Sequence, residues 1–255
     1  MAVLLSAKNV NKTYMMGKDN PHHVLKDVSL EIKEGEFVSV MGASGSGKST
    51  LLYNISGMDR ATNGSVCFAG SNIESLSEKE LANLRLTKMG FVFQQSNMLK
   101  NLSIFDNIVV SAYLSGREKR TSINTRANAL MEQTGISHIK DNDITQASGG
   151  ELQRASICRA LINEPVLLFG DEPTGALNSS SANEIMDILS GINQKGGTIL
   201  LVTHDTKVAA RSDRVLYMMD GKIMGEYLSE KYSPIENDLK KRETGLTVWL
   251  SEMGY

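Results

Sequence analysis

The sequence predicts an α/β protein whose core is a mostly parallel β-sheet. Three short apolar runs, at residues 37–41, 166–170 and 198–203, have the length of buried strands, and each is followed by a segment with helical character. The chain has 255 residues, of which 41% are hydrophobic and 22% are charged. This is enough to bury one sizeable core, or a core with a satellite subdomain. The alternation of strands and helices therefore favours one α/β domain.

Two other regions complete the predicted architecture. Residues 3–10 and 24–32 alternate apolar and polar side chains, which is typical of half-buried antiparallel strands. From about residue 96 to 163 the strand character gives way to helical segments. We therefore expect an N-terminal antiparallel β-layer and an inserted helical subdomain.

The last segment, residues 229–255, is predicted to be a C-terminal extension beyond a main domain of residues 1–228. Four apolar residues recur there at helical spacing: Leu246, Trp249, Leu250 and Met253. Residues 235–253 are therefore expected to include an amphipathic helix, packed on the main domain or on a second copy of the chain. The alternative is a helix that lies on a membrane surface.

A glycine-rich segment directly follows the first buried strand. It consists of Gly42, Ala43, Ser44, Gly45, Ser46, Gly47, Lys48 and Ser49. Glycines let several backbone N–H groups turn inward, and the following helix adds the positive partial charge of its N-terminus. Lys48 can then reach the β- and γ-phosphates of a nucleoside triphosphate, and the Ser49 hydroxyl can ligate Mg²⁺. A Gly/Ser hairpin loop without a ligand is the disfavoured alternative.

The second buried run ends in two carboxylates, Asp171 and Glu172. Asp171 can hold Mg²⁺, and Glu172 projects beyond the strand, where it can polarise an attacking water molecule. Acidic residues also occur at strand ends as solvated caps. The presence of a phosphate loop in the same chain favours the catalytic interpretation.

Two further polar residues follow predicted strands. His204 comes directly after the run 198–203, from where its side chain could reach the γ-phosphate, although a core histidine is the usual interpretation. Gln94 follows the apolar residues 91–93 and could ligate Mg²⁺ or the attacking water.

A second anion-binding segment lies at Ser148, Gly149 and Gly150, ahead of a predicted helix. One active site has no need of two such segments. The economical explanation is that two chains combine, each supplying one segment to a shared site.

Composition and charge exclude several function classes. The net charge of −2 gives no general attraction to nucleic acid, so we expect no nucleic-acid partner. The apolar runs are far below the roughly 20 residues needed to span a bilayer, and the N-terminus lacks the pattern of a signal peptide. Cys67 and Cys158 have no metal-type spacing and are interpreted as reduced core thiols of a cytosolic protein.

The order of these motifs resembles that of the ATP-binding cassette (ABC) ATPases: aromatic residue, phosphate loop, glutamine, signature, acidic strand, histidine. The resemblance covers residues 1 to about 228. It implies a P-loop NTPase (RecA-like) core, ATP and Mg²⁺ as ligands, and a homodimer. In that homodimer the signature of one subunit closes over the nucleotide held by the other.

The resemblance also implies roles for single residues. Tyr14 would stack on adenine, although an ordinary aromatic residue at a strand end would look the same. Glu172 would be the catalytic base, His204 would sense the γ-phosphate, and Gln94 would link the nucleotide site to the helical subdomain. The implied contacts are Tyr14, Gly42, Ala43, Ser44, Gly45, Ser46, Gly47, Lys48, Ser49, Thr50, Ser148, Gly149 and Gly150 for ATP, and Ser49, Gln94 and Asp171 for Mg²⁺.

The chain departs from the family pattern at two informative positions. Glu151 stands where the signature usually has Gln, and Asn178 stands where the family normally has Asp. Asn keeps the size and hydrogen-bonding ability of Asp but loses the charge. We therefore expect the communication between the two sites, or the hydrolysis rate, to differ from the family norm.

Within the family, the motifs look like the branch that serves macrolide and lipoprotein export, and look closest to bacitracin-export-type transporters. This implies an ATP-hydrolysing subunit on the cytoplasmic face of the membrane, bound there through a permease that exports or clears peptide antibiotics. The alternative is an ATPase of a lipoprotein-release or cell-division complex. Part of the apolar set Met98, Leu99, Leu102, Ile104, Phe105 and Ile108 is expected to line a groove for the permease, with helical core as the alternative.

Overall fold

The chain folds into two units, the first of which is built from both ends of the sequence. The computed structural model describes residues 2–17, 20–233 and 238–255. Unit one comprises Met1–Leu81 and Asn193–Tyr255, and unit two comprises Ala82–Ile192. The limits of 96–163 for a helical subdomain, and the division at residue 228, stay predictions.

Unit one begins with a four-stranded antiparallel sheet in the order β2-β1-β4-β5. Its strands are β1 Val3–Met15, β2 Pro21–Lys33, β4 Asn63–Phe68 and β5 Ser71–Asn72. The register of β1 and β2 pairs Ala7 with Leu30 and Val10 with Val28, and all four side chains are buried. The predicted antiparallel layer is confirmed, and both of its long strands extend beyond the predicted limits.

Cys67 corrects one prediction, because this thiol is exposed and does not lie in the core. Its neighbours in β4, Val66 and Phe68, are fully buried. Successive side chains of a strand point to opposite faces, so Cys67 points away from the core. Cys158 is buried as predicted, and burial raises the pKa of its thiol to about 11.

Unit one also contains four strands in the order β10-β9-β3-β8. They are β3 Phe37–Met41, β8 Thr198–Thr203, β9 Arg214–Met219 and β10 Lys222–Leu228. β3 pairs in parallel with β8 and β9, and every residue of β3 and β8 is buried. β10, which the sequence analysis did not predict, pairs antiparallel with β9. The helices of this unit are α1 Lys48–Ile55, α7 Thr206–Ala209 and α8 Leu239–Glu252, with a 3₁₀ turn at Ile73–Ser75.

Unit two contains the parallel strand pair β6 Met89–Phe93 and β7 Leu167–Asp171. Its helices are α3 Ile104–Ser115, α4 Arg120–Gln133 and α5 Gly149–Leu161, with 3₁₀ turns at Ser137–Ile139 and Ile144–Gln146. Helices α2 Glu78–Lys88 and α6 Ser179–Gln194 cross the two limits of the unit. The core of the helices includes Ile108, Ala112, Ile123, Ala127, Met131 and Cys158.

The residues predicted to line a permease groove divide into two groups. Met98, Ile104 and Ile108 lie in the helical core, which was the alternative interpretation. Leu99 is 50% exposed. Buried Asn107 holds the turn at Leu99, since its side chain accepts a hydrogen bond from the Leu99 N–H and donates one to the Leu99 carbonyl.

The C-terminal helix α8 begins at Leu239, and its side chains Leu246 and Leu250 are buried within unit one. The predicted range of 235–253 starts earlier, but residues 235–237 lie outside the described part of the chain. Because these apolar side chains are already buried against unit one, they are not available to a membrane surface.

Candidate nucleotide site

The glycine-rich loop joins β3 to α1 in unit one. Met41, the last residue of β3, pairs with Thr203 of β8 and with Tyr217 of β9, so the strand that enters the loop is fixed on both sides. Gly47 forms the N-cap of α1 with a φ of 101°, and no side chain caps this helix. The N-terminus of α1 therefore places its positive partial charge at the loop, where it favours an anion.

Two glycines of the loop are required by close contacts. A Cβ at Gly42 would lie 2.1 Å from the Met218 carbonyl oxygen, and a Cβ at Gly47 would lie 3.1 Å from the Val24 carbonyl oxygen. By contrast, a Cβ at Gly45 would meet nothing within 4 Å. The loop is thus packed against β-structure on one side and open on the other, where a phosphate group would approach.

Lys48 folds back across the loop. Its Nζ donates hydrogen bonds to the Gly42 carbonyl at 2.8 Å and to the Ala43 carbonyl at 3.0 Å, and the residue is only 6% exposed. The Ser46 hydroxyl is also buried and has no hydrogen-bond partner among the described residues. A buried ammonium group and an unsatisfied hydroxyl in one loop fit an anionic phosphate ligand.

Tyr14 lies at the end of β1 and is held by Asp59. Its hydroxyl donates a hydrogen bond of 2.7 Å to Asp59 Oδ2, and Lys12 Nζ donates one of 2.8 Å to Asp59 Oδ1. The Lys12 ammonium also lies 4.7 Å from the centre of the Tyr14 ring. Partial burial and the bond to anionic Asp59 raise the pKa of Tyr14 to about 12. Tyr14 is 39% exposed, so part of its side chain is accessible to a ligand.

His204 is exposed and follows β8 directly. Because Thr203 is paired with Met41, His204 and Gly42 leave neighbouring parallel strands at the same edge. The next residue, Asp205, caps α7 by accepting a hydrogen bond from the Lys207 N–H. Unit one thus brings His204 to the strand edge that carries the phosphate loop.

Unit two brings Gln94, Asp171 and Glu172 together. Phe93 of β6 pairs with Asp171 of β7, so Gln94 and Glu172 follow at the same strand edge. A Cβ at Gly175 would lie 3.0 Å from Gln94 Nε2 and 3.3 Å from Glu172 Oε2, which places both side chains beside this glycine. Amide and carboxylate oxygens of this kind suit a Mg²⁺ ion.

Glu172 has a left-handed backbone, with a φ of 48°. Residues with a Cβ seldom adopt this conformation, which costs on the order of 1–3 kcal/mol and is concentrated at functional sites. The turn carries the chain abruptly out of β7. The Glu172 carboxylate and the Gln94 amide both lie beside Gly175.

The signature residues form the start of α5. Ser148 is the N-cap, and its N–H and hydroxyl both donate to Glu151 Oε2, at 2.8 and 2.7 Å. These bonds lower the pKa of Glu151 from 4.5 to about 2. A Cβ at Gly149 would meet only Leu177, at 3.7 Å, so the N-terminus of α5 is open near this glycine. The His138 ring lies 2.9 Å from the other Glu151 oxygen.

Comparison with known proteins decides the family. Residues 25–175 match the family described as ABC transporter. This chain belongs to that family. The family membership predicted from the sequence motifs is confirmed, and the chain carries the ATPase domain of an ABC transporter.

Two curated relatives are similar to this ABC ATPase over most of its length. One is the lipoprotein-releasing system ATP-binding protein LolD of Aquifex aeolicus, 42% identical over 226 residues, which are 89% of this chain and 98% of LolD. The other is the bacitracin export ATP-binding protein BceA of Halalkalibacterium halodurans, 42% identical over 221 residues, which are 86% of this chain and 87% of BceA. Both names agree with the predicted branch of the family.

A solved structure supports the same fold. It is a dimeric ATP-binding cassette in a post-hydrolysis state bound to ADP and Pi, with a TM-score of 0.83 and 38% identity. The match covers 89% of this chain and all of that chain. The predicted P-loop NTPase fold of this ABC ATPase is therefore confirmed.

One residue of the ABC ATPase site was missed by the sequence analysis. Gln153 of α5 is 2% exposed, and its Nε2 donates to the Phe93 carbonyl at 2.8 Å and to the Pro173 carbonyl at 2.7 Å. It therefore ties the signature helix to the backbone beside Gln94 and Glu172. The sequence signal that could have identified Gln153 was a glutamine on the apolar side of a predicted helix.

Two further findings concern this ABC ATPase. Asn178 stands where the family normally has Asp. It accepts a hydrogen bond of 2.9 Å from the Ser181 N–H at the start of α6, so the helix keeps a cap without the charge.

Among the described residues, every helix is too short or too polar to cross a membrane.

Proposed function

We propose that this chain hydrolyses ATP within a homodimer and thereby drives a permease that exports or clears peptide antibiotics. The observation that supports a dimer is a second helix N-terminus suited to bind an anion. It lies at Ser148, Gly149 and Gly150 of α5. The phosphate loop already supplies one such N-terminus within the chain. A second chain gives the signature a γ-phosphate to bind, and the dimeric state of the similar solved cassette supports this arrangement.

The proposed binding roles are those that the ABC family pattern implies for these residues. Tyr14 stacks on adenine. The phosphate loop and Lys48 hold the β- and γ-phosphates. Ser49, Gln94 and Asp171 supply the hydroxyl, amide and carboxylate oxygens that Mg²⁺ prefers. When bound, Mg²⁺ neutralises phosphate charge.

The proposed chemical step is an in-line displacement at the γ-phosphate. Glu172 accepts a proton from the attacking water, whose oxygen forms a bond to phosphorus as the bond to ADP breaks. His204 contacts the γ-phosphate from the strand edge that it shares with the loop. The position of the Glu172 carboxylate beside Gly175 and the Gln94 side chain supports this role.

The peptide-antibiotic role is supported by the similarity to BceA, whose name describes bacitracin export. We place the dimer on the cytoplasmic face of the membrane, bound through its permease. The alternative is lipoprotein release or a cell-division complex, which the LolD similarity favours.

The experiment uses a strain that lacks this gene, complemented with the parent chain or with Glu172→Gln. Growth is measured against a panel of peptide antibiotics, and lipoprotein sorting is measured in the same cells. We expect the parent chain, and not Glu172→Gln, to restore resistance, and the parent to co-purify with a membrane permease. Normal antibiotic sensitivity together with missorted lipoproteins in the deletion strain would replace this proposal by the alternative.

A further inference from the structure

Helix α8 packs against the elements that lead into the phosphate loop and away from His204. Its buried side chains Leu246 and Leu250 lie in one cluster with Met41 at the end of β3 and with Ala209 and Ala210 around the end of α7. Each of these apolar contacts removes surface from water and so fixes the helix in place. The C-terminal segment is therefore part of the support of the phosphate site.

Arg242 is the polar anchor of this segment. It is only 8% exposed, and its guanidinium donates to the carbonyls of Ala210 at 2.7 Å, Ser212 at 2.8 Å and Glu230 at 2.7 Å. The first of these carbonyls lies at the C-terminus of α7, where a cation is favourable. A four-residue helix has little stability of its own, so α7 depends on such contacts.

Tyr255 connects the segment to His204 directly. Its hydroxyl donates a hydrogen bond of 2.9 Å to the His204 carbonyl. Its ring packs edge-on against Tyr217, with 5.8 Å between the ring centres, and its N–H donates to the Leu250 carbonyl. The residue is thus held by the helix on one side and by β9 on another.

We propose that residues 238–255, which we call the tail segment, position His204 for its contact with the γ-phosphate, and that Tyr255 is the positioning residue. This rests on the role of His204 in the proposed function. The bond to the His204 carbonyl limits rotation of the peptide that joins His204 to Asp205.

The test compares steady-state ATP hydrolysis by the full chain with that of three variants: Tyr255→Phe, His204→Ala and Val248→Thr. Tyr255→Phe removes the hydroxyl and keeps the ring that packs on Tyr217. Val248→Thr is the matched control, because Val248 lies on α8 and is 56% exposed. We expect kcat of Tyr255→Phe to fall about fivefold, the effect of one hydrogen bond, with KM for ATP and Tm unchanged.

A spectroscopic signal tests the same connection. Trp249 of α8 is the only tryptophan, and its ring lies 6.4 Å from that of Tyr217. Saturating Mg²⁺-ATP should change its emission in the parent chain, and the change should be reduced in Tyr255→Phe and lost in His204→Ala. If the tail segment only stabilised the fold, the change in Trp249 emission on adding Mg²⁺-ATP would be the same in the parent chain and in both variants.

The outcomes separate the two proposals. Parental kcat in Tyr255→Phe, with His204→Ala impaired, overturns the positioning role and leaves the proposed function standing. A fall in kcat accompanied by a matching fall in Tm also overturns it, in favour of a structural role. Parental turnover in His204→Ala instead removes His204 from the proposed mechanism.

Discussion

The hydroxyl of Tyr14 donates a 2.7 Å hydrogen bond to Asp59, which lies 45 residues further along the chain. The same carboxylate accepts a bond from Lys12, whose ammonium group also lies near the Tyr14 ring. Tyr14 is therefore fixed at its hydroxyl end, while 39% of the residue stays exposed. The ring that we propose as the adenine platform is thus held in place by contacts within the protein.

Replacing Asp59 by Ala is expected to weaken ATP binding about fivefold, since one hydrogen bond that orients the ring is lost. The maximal rate should not change, because Asp59 is remote from the reacting phosphate in the proposed mechanism. Equilibrium titration with a fluorescent ATP analogue measures the effect. Glu78→Ala, which removes a carboxylate that is 74% exposed, is the control. Equal affinities in Asp59→Ala and the parent chain would remove Asp59 from the platform.

Glu172→Gln is expected to bind ATP normally and to lose about 10²- to 10⁴-fold in turnover, the usual contribution of a positioned acid-base group. The ATP-bound dimer should therefore accumulate. Lys48→Ala should leave monomers or an open dimer, because the cation proposed to hold the phosphates is missing before hydrolysis begins. Light scattering with Mg²⁺-ATP measures the mass of each variant. A monomeric Glu172→Gln at saturating ATP, also in the presence of the permease, contradicts the composite site.

Glu151→Gln is expected to tighten the ATP-bound dimer. The Glu151 carboxylate lies 2.7 Å from the Ser148 hydroxyl, so it carries negative charge to the place where the partner's γ-phosphate would bind. The Glu151 side chain is partly buried, with 18% exposed, and removing one charge near the surface typically changes affinity by about two- to fivefold. Dimer dissociation is measured in a Glu172→Gln background at low and high salt. Unchanged dissociation at low salt would show that the charge does not reach the interface.

The same glutamate predicts a pH dependence of folding stability. The bonds from Ser148 lower the pKa of Glu151 from 4.5 to about 2. Its contribution is fully present above pH 4.5 and is lost as the pH falls through about 2, because the protonated carboxyl no longer accepts these bonds as an anion. Denaturant unfolding between pH 6 and pH 2.5 should show a smaller acid loss in Glu151→Gln. Parallel curves for the two proteins would contradict this assignment.

Leu99→Glu is expected to abolish resistance in cells and to leave ATP hydrolysis by the isolated chain unchanged. Leu99 is half exposed on a turn that Asn107 holds in place, so a charge there opposes docking of an apolar permease helix without entering the core. Leu114→Glu is the control, because Leu114 is 74% exposed on another part of unit two. If both variants support full resistance, Leu99 is not part of the contact.

The sequence predicted those parts of the protein that depend on local pattern. The apolar runs of β3 and β8 are buried strands because their side chains leave no polar face, and glycines mark the loop after β3 because Gly42 and Gly47 lie against neighbouring carbonyls. The antiparallel layer followed from period-two alternation. These signals lie within a few residues of one another.

The contacts that orient the candidate site could not be predicted in this way. Asp59 holds Tyr14, Gln153 joins the backbone beside Gln94 and Glu172, and Tyr255 reaches His204 across 51 residues. Cys67 was assigned to the wrong face, because a small apolar thiol was taken as a core residue without counting the alternation with Val66 and Phe68. Such contacts depend on how elements that are distant in the sequence pack together, and local hydrophobic periodicity carries no information on this packing.

The left-handed backbone at Glu172 lowers the stability of the fold at the residue that the proposed mechanism requires for activity. Asn and Gly accept a φ of 48° more readily than Glu does, so either would relieve local strain while removing the carboxylate. Under the mechanism proposed for Glu172, selection for thermal robustness alone would therefore drive this position towards an inactive protein. Laboratory evolution for heat resistance should be run with an activity screen.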